Sequence, residues 1–137
     1  MPQATRRYDP RIGPVISVTI SDPFSDRPDD EFPRSEKVTM LIDTGASDSS
    51  ISGFIADRLS LPVLGLHDVS GFGSNNMTYQ HLFDLELLLD SGHQLADWKL
   101  LRFDTDYNKI QGILGRDLLA LGMLSIDGQQ QEFSISI

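Results

Sequence analysis

Leu41-Ile42-Asp43-Thr44-Gly45-Ala46-Ser47 brings two apolar residues into a single acid and then straight into a Thr-Gly pair. The apolar pair predicts the end of a buried strand. The Thr-Gly pair predicts a sharp turn that holds the Asp43 carboxylate still and aims it outward. Downstream, Gly112-Ile113-Leu114-Gly115-Arg116-Asp117 again runs an apolar pair into glycine, and this second strand is suited to pack beside the first. Read together, the two stretches are one half of a carboxylate site.

The rest of the chain sets the scale. At 137 residues it fits one domain, residues 1–137, with an ordinary globular balance of 39% hydrophobic and 23% charged residues. No apolar run approaches the roughly 18 residues that cross a bilayer, and Met1-Pro2-Gln3 begins no signal peptide. A soluble chain is expected, with the cytoplasm the favoured compartment. The absence of cysteine removes disulfides, thiol chemistry and cysteine metal sites, and suits either redox compartment. With 20 acidic against 11 basic residues the formal charge is −9. That balance argues against nucleic acid, whose phosphates need Lys and Arg, and against anionic membranes. It leaves dimerisation open, because salt screens charge over about 8 Å.

Along the chain, residues 1–11 carry Arg6, Arg7 and Arg11 with little apolar content and read as a solvated N-terminal arm. Residues 12–20, where Val15, Ile16, Val18 and Ile20 supply β-branched side chains, read as a strand, whereas residues 21–36, with three prolines and Asp29-Asp30-Glu31, read as an exposed acidic loop. Residues 37–42 form the strand that feeds Asp43. Residues 52–61 have helical spacing, with Ser52 as N-cap and Pro62 closing the helix. A short strand at 63–66 leads into a glycine- and asparagine-centred hairpin over 69–79. Strands follow at 81–90 and 95–103, a loop at Tyr107-Asn108-Lys109, and a short helix at 116–121 that ends at Gly122. Phe133-Ser134-Ile135-Ser136-Ile137 alternates with period two and should bury one face. It either finishes the monomer's core or pairs with a partner's termini. Trp98, Phe103 and the leucines from Leu85 to Leu89 are expected in the core.

One carboxylate beside a turn hydrolyses little. Two carboxylates a hydrogen bond apart share one proton, so that one serves as base and the other as acid on a water held between them. With one Asp-Thr-Gly in the chain, a symmetric dimer with each Asp43 at its two-fold axis supplies the pair.

Residues 41–47 together with residues 112–117 resemble the retropepsin-like aspartic proteases, the single-lobe relatives of pepsin. The resemblance spans about residues 12–137 in order and spacing, and its specificity lies in the two motifs occurring together. It implies a mainly β fold, a closed or partly open β-barrel with a flap hairpin and one or two short helices. It implies a homodimeric endopeptidase acting on extended peptide or protein substrates with no cofactor. Asp43 would be the catalytic aspartate. Thr44 would tie the dimer's active-site loops together and Gly45 would approach the substrate backbone, with Ala46, Ile113, Leu114, Gly115 and Arg116 supporting the loop. Ser47 and Asp48 would border the substrate, and Gly71, Phe72 and Gly73 would lie on the flap. Ile113, Leu114 and Phe72 would give an apolar lining and a preference for hydrophobic side chains. Many viral relatives carry an acid where this chain has Ser47, with Asp48 one further on, so an Arg116 ion pair at that position is in doubt.

Other readings remain beside this one. The same fold could serve as a non-catalytic peptide-binding or dimerisation module, which the presence of Asp43 argues against. An aspartyl-phosphate enzyme would want an acid two residues on, where Gly45 stands, or a lysine beside the nucleophile, where Thr44 stands. Gly71-Phe72-Gly73 lacks the third glycine of a dinucleotide fingerprint. His67, His81 and His93 are too scattered for a zinc site and read as surface or half-buried side chains, so no metal is expected.

Overall fold

A computed structural model describes residues 3–23, 34–68, 77–87, 93–104 and 109–137. Among these residues the chain forms ten strands and two short helices, a mainly β fold. The first three strands are β1 (Gln3–Arg7), β2 (Val15–Ser21) and β3 (Ser35–Ile42), which ends one residue before Asp43. Next come β4 (Ser50–Ser52) and helix α1 (Gly53–Arg58), then β5 (Val63–Asp68), β6 (Met77–Leu87) and β7 (His93–Phe103). The last group is β8 (Gly112–Leu114), α2 (Arg116–Leu119), β9 (Met123–Asp127) and β10 (Glu132–Ser136).

Seven strands run in the order β2-β3-β8-β4-β7-β6-β5, and a further pairing of β2 with β6 curls the sheet into a partly open barrel. Alternation explains the curl. In β2 every second residue is buried, so Ile16, Val18 and Ile20 turn inward together with Val38, Met40 and Ile42 of β3. Ile51, Ile55, Leu100, Leu114 and Leu118 belong to the same cluster. Burial at these positions supplies the main stabilisation, of order 2 kcal/mol per large side chain. Phe103 is buried and Trp98 packs partly buried against the core, as expected. The side chains from Leu85 to Leu89 lie outside the described residues.

Helix α1 starts where the sequence places it. The Ser52 hydroxyl accepts from the Phe54 N–H at 3.3 Å, and Arg58 ties the far end to β3 through Glu36 at 2.6 Å. Ile55 and Ala56 face the core.

Two expectations change, and the choice left open for the terminal strand closes. Residues 3–7 are not a solvated arm: β1 pairs antiparallel with β10, and Ala4, opposite Ile135, is fully buried. One apolar residue, Ala4, suffices there because the partner strand supplies the rest. The terminal strand β10 is held on both sides by its own chain, in the order β1-β10-β9, so Phe133, Ile135 and Ile137 finish the monomer's core. His81 is buried, not exposed or half-buried. Its Nδ1 lies 3.2 Å from the Leu61 carbonyl and its Nε2 has no partner among the described residues. Strands β5 and β6 pair antiparallel as a hairpin expects, while the turn between them lies outside the described residues, as do most of residues 21–36. No helix among the described residues is long and apolar enough to cross a membrane.

Candidate active site

Strand β3, which delivers Asp43, is fixed in place because it is flanked on both sides. Val15 of β2 lies opposite Leu41, and β8 runs parallel with Leu41 beside Ile113 and Ile42 beside Leu114. The two apolar pairs of the sequence are thus neighbours in space. The Leu114 carbonyl accepts from the Asp43 N–H at 3.0 Å, so the second motif holds the first by its backbone.

Past β3 the chain turns on Asp43 itself. One carboxylate oxygen, Oδ1, accepts the Gly45 N–H at 2.8 Å, and the Asp43 carbonyl accepts the Ala46 N–H at 3.2 Å. A Cβ on Gly45 would stand 3.1 Å from Oδ1, so glycine lets the loop close this tightly over the acid. Asp43 is half-buried, whereas Thr44 and Gly45 are exposed. The carboxylate is therefore pinned through one oxygen in a turn that is itself at the surface.

The loop from Ala46 to Asp48 is stitched to the start of α2. The Ala46 carbonyl accepts the Arg116 N–H at 2.8 Å and the Ser47 carbonyl accepts the Asp117 N–H at 3.2 Å. Gly115 passes so close beneath that a Cβ there would meet backbone atoms of Asp48 at 2.8 Å and of Ala46 at 2.9 Å. Arg116 donates to the Thr44 carbonyl at 3.2 Å, a backbone anchor in place of the viral-type ion pair. The exposed Asp48 accepts from the Ser47 hydroxyl at 3.2 Å.

Two site residues were missed by the sequence reading. Asp117 accepts the Ser49 hydroxyl at 2.7 Å, the Ser49 N–H at 3.1 Å and the Leu118 N–H at 2.8 Å. The Ser49 oxygen in turn accepts the buried Gly115 N–H at 2.9 Å. An acid at the first turn of a helix was the available signal for Asp117, but 68 residues separate it from Ser49.

The structure thus gathers Asp43, Thr44, Gly45, Ala46, Ser47 and Asp48 with Ile113, Leu114, Gly115 and Arg116. Leu114 is fully buried, so it braces the loop from the core and cannot line a pocket; Ile113 is half-buried. Gly71, Phe72 and Gly73 lie outside the described residues. No group of His, Asp or Glu side chains among the described residues could hold a metal ion.

A family model described as aspartyl protease matches residues 31–118, more than half of the chain. The chain belongs to the aspartyl protease family. Among solved structures it is similar to a retropepsin-like aspartic protease from Rickettsia conorii, with a TM-score of 0.63 and 15% sequence identity over 97% of this chain and 89% of that one. At that identity the likeness is one of fold, and the fold is retropepsin-like. No curated protein matches the chain. The matched range contains both Asp43-Thr44-Gly45 and residues 112–116.

Proposed function

We propose that the chain is an aspartic endopeptidase whose active unit is a homodimer, with one Asp43 from each subunit facing the other across a two-fold axis. The observation that carries this reading is the Asp43 carboxylate, held by the Gly45 N–H at the end of β3 in a turn whose Thr44 and Gly45 are exposed. Two such carboxylates at hydrogen-bond distance share a proton, because both cannot ionise comfortably side by side.

A water between them is then activated from both sides. The ionised carboxylate takes a proton from the water as its oxygen attacks the peptide carbonyl carbon, and the protonated carboxyl gives its proton to the carbonyl oxygen. The resulting gem-diol collapses as the C–N bond breaks and the nitrogen takes a proton from the site, which releases acid and amine. One protonated carboxyl must be present throughout, so cleavage is fastest at mildly acidic pH.

Thr44, exposed on the same turn, is suited to tie the two active-site loops through its hydroxyl. The segment joining β5 to β6, with Gly71, Phe72 and Gly73, is the flap of this reading. At its base Leu66 and Tyr79 lie opposite each other and are 61% and 50% exposed, an apolar surface with no role in the core. With Ile113 they favour hydrophobic side chains beside the cleaved bond of an extended peptide.

Subunit mixing tests the shared site. Wild type co-refolded with increasing excess of Asp43→Asn should lose its peptidase activity as mixed dimers form. Activity unchanged by the excess would mean that each subunit works alone.

A further inference from the structure

Among the described residues, two buried side-chain atoms have no hydrogen-bond partner, the Ser50 hydroxyl oxygen and His81 Nε2. Of the two side chains only the imidazole is of a kind that titrates near neutral pH. His81 stands on β6 between Val63 of β5 and Leu100 of β7, and its Nδ1 lies 3.2 Å from the Leu61 carbonyl, in the link that joins α1 to β5. A carbonyl only accepts, so the proton of neutral His81 sits on Nδ1 and Nε2 keeps a bare lone pair. The link is held in a costly shape. Ser60 has a φ of 48°, in the left-handed region that residues with a Cβ rarely adopt, and the Leu61 N–H is held by the Ala56 carbonyl at 3.0 Å. Beyond Pro62 the pairing of β5 with β6 shifts register between Val63 and Gly65, so the bond from His81 helps to fix where β5 starts.

We propose that His81 is a proton-operated latch at the root of the β5–β6 hairpin, closed while the imidazole is neutral and released when both ring nitrogens carry protons. A proton from solvent on the Nε2 lone pair makes a cationic N–H in a site that is 3% exposed, where no acceptor stands among the described residues. The charged groups around His81 are engaged elsewhere. On α1, Asp57 lies close enough for a charge on His81 to act on it, but both its oxygens are held by Arg102 of β7, at 2.7 and 3.0 Å. Arg102 also donates to Asp104 at 2.9 Å, and Arg58 of α1 turns to Glu36 of β3 at 2.6 Å. Strand β5 sets the uncharged Val63 opposite His81, and its own His67 stands opposite Thr78, further along β6. The cation is therefore accommodated where the imidazole reaches water, which breaks the Leu61 bond and frees Ser60 to leave its left-handed conformation. The closed root is stabilised above the pH range in which His81 takes its second proton, and that contribution is lost as pH falls through it. The latch itself needs no catalysis. Only its consequence, a cover over the peptide that loosens in the acidic range, rests on the protease reading.

Backbone amide exchange tests the latch, read by mass spectrometry on the full chain carrying Asp43→Asn, so that no self-cleavage intrudes. Rates are compared at about pH 7.5 and about pH 5.5, on either side of the ordinary imidazole value near 6.5, after correction for the intrinsic effect of pH on exchange. Protection over residues 61–67 should fall by about ten-fold at the lower pH, while β2 and β3 keep theirs. His81→Phe, which takes no proton, should keep its protection at both pH values. His81→Gln, which can still donate to the Leu61 carbonyl, should do the same and serves if the phenyl ring does not fit. His67→Gln, on the exposed side chain of β5, should leave the acid loss in place. Protection that ignores pH with His81 present, an acid loss that persists in the folded His81 variants, or a loss abolished by His67→Gln would overturn the inference. Because the readout is exchange, a working latch in a chain whose Asp43 form cuts no peptide refutes the protease reading and keeps the latch, and a protease with pH-independent exchange does the reverse.

Discussion

The Asp117 carboxylate grips Ser49 twice, accepting its hydroxyl at 2.7 Å and its N–H at 3.1 Å, and so clamps the chain leaving the Asp43 loop to the first turn of α2. The side chain of the neighbouring Arg116 donates to the Thr44 carbonyl.

Removing either partner should therefore be felt. Ser49→Ala leaves the buried Gly115 N–H without an acceptor and should cost about 1–3 kcal/mol. Asp117→Ala removes the acceptor of three donors and should cost more. Because both belong to one network, the double variant should lose less than the sum of the two, which urea unfolding in a double-mutant cycle will show.

Gly115→Ala probes the close passage beneath the loop. Its Cβ would press on backbone atoms of Asp48 and Ala46 that cannot swing aside. A loss of about 1–3 kcal/mol in unfolding free energy is expected, together with loss of peptidase activity.

Gly45→Ala separates stability from positioning. The added Cβ meets Asp43 Oδ1 at 3.1 Å, in an exposed turn outside the core. A carboxylate moved by a fraction of an ångström should lower kcat by up to about 100-fold while the melting temperature stays within a few degrees of wild type. A normal kcat would mean that the turn does not position the acid.

The Asp57–Arg102 pair ties α1 to β7 and sets an acid limit on stability. Its hydrogen bonds to Arg102, at 2.7 and 3.0 Å, hold the Asp57 carboxyl below the usual value of 3.8. A folded pKa below the unfolded one means that the pair contributes above about pH 4 and stops contributing as pH falls through the folded value. Asp57 is 66% exposed, so the contribution is under about 1 kcal/mol. Asp57→Asn should melt slightly below wild type at pH 7, and the gap should close below pH 4.

Much of this architecture is legible in local sequence. The strand into Asp43, the Ser52-capped helix, the second motif and the alternating terminus each carry their signal within a few residues. Strands β1, β4 and β9 do not. Strand β4 is three residues, Ser50-Ile51-Ser52, and exists because β7 and β8 flank it. Strand β1 has one buried side chain, Ala4, and β9 is largely exposed, so neither shows a buried alternation. The Asp117–Ser49 clamp and the burial of His81 depend on folding distant segments together, and no spacing rule announces them.

The most direct measurement is mass-spectrometric detection of new peptide termini after a diverse peptide library is incubated with wild type and with Asp43→Asn, from acidic to neutral pH. The account predicts cuts beside hydrophobic side chains, fastest at mildly acidic pH and absent with Asp43→Asn. Cuts that survive Asp43→Asn, or no cuts by wild type at any pH, would contradict it.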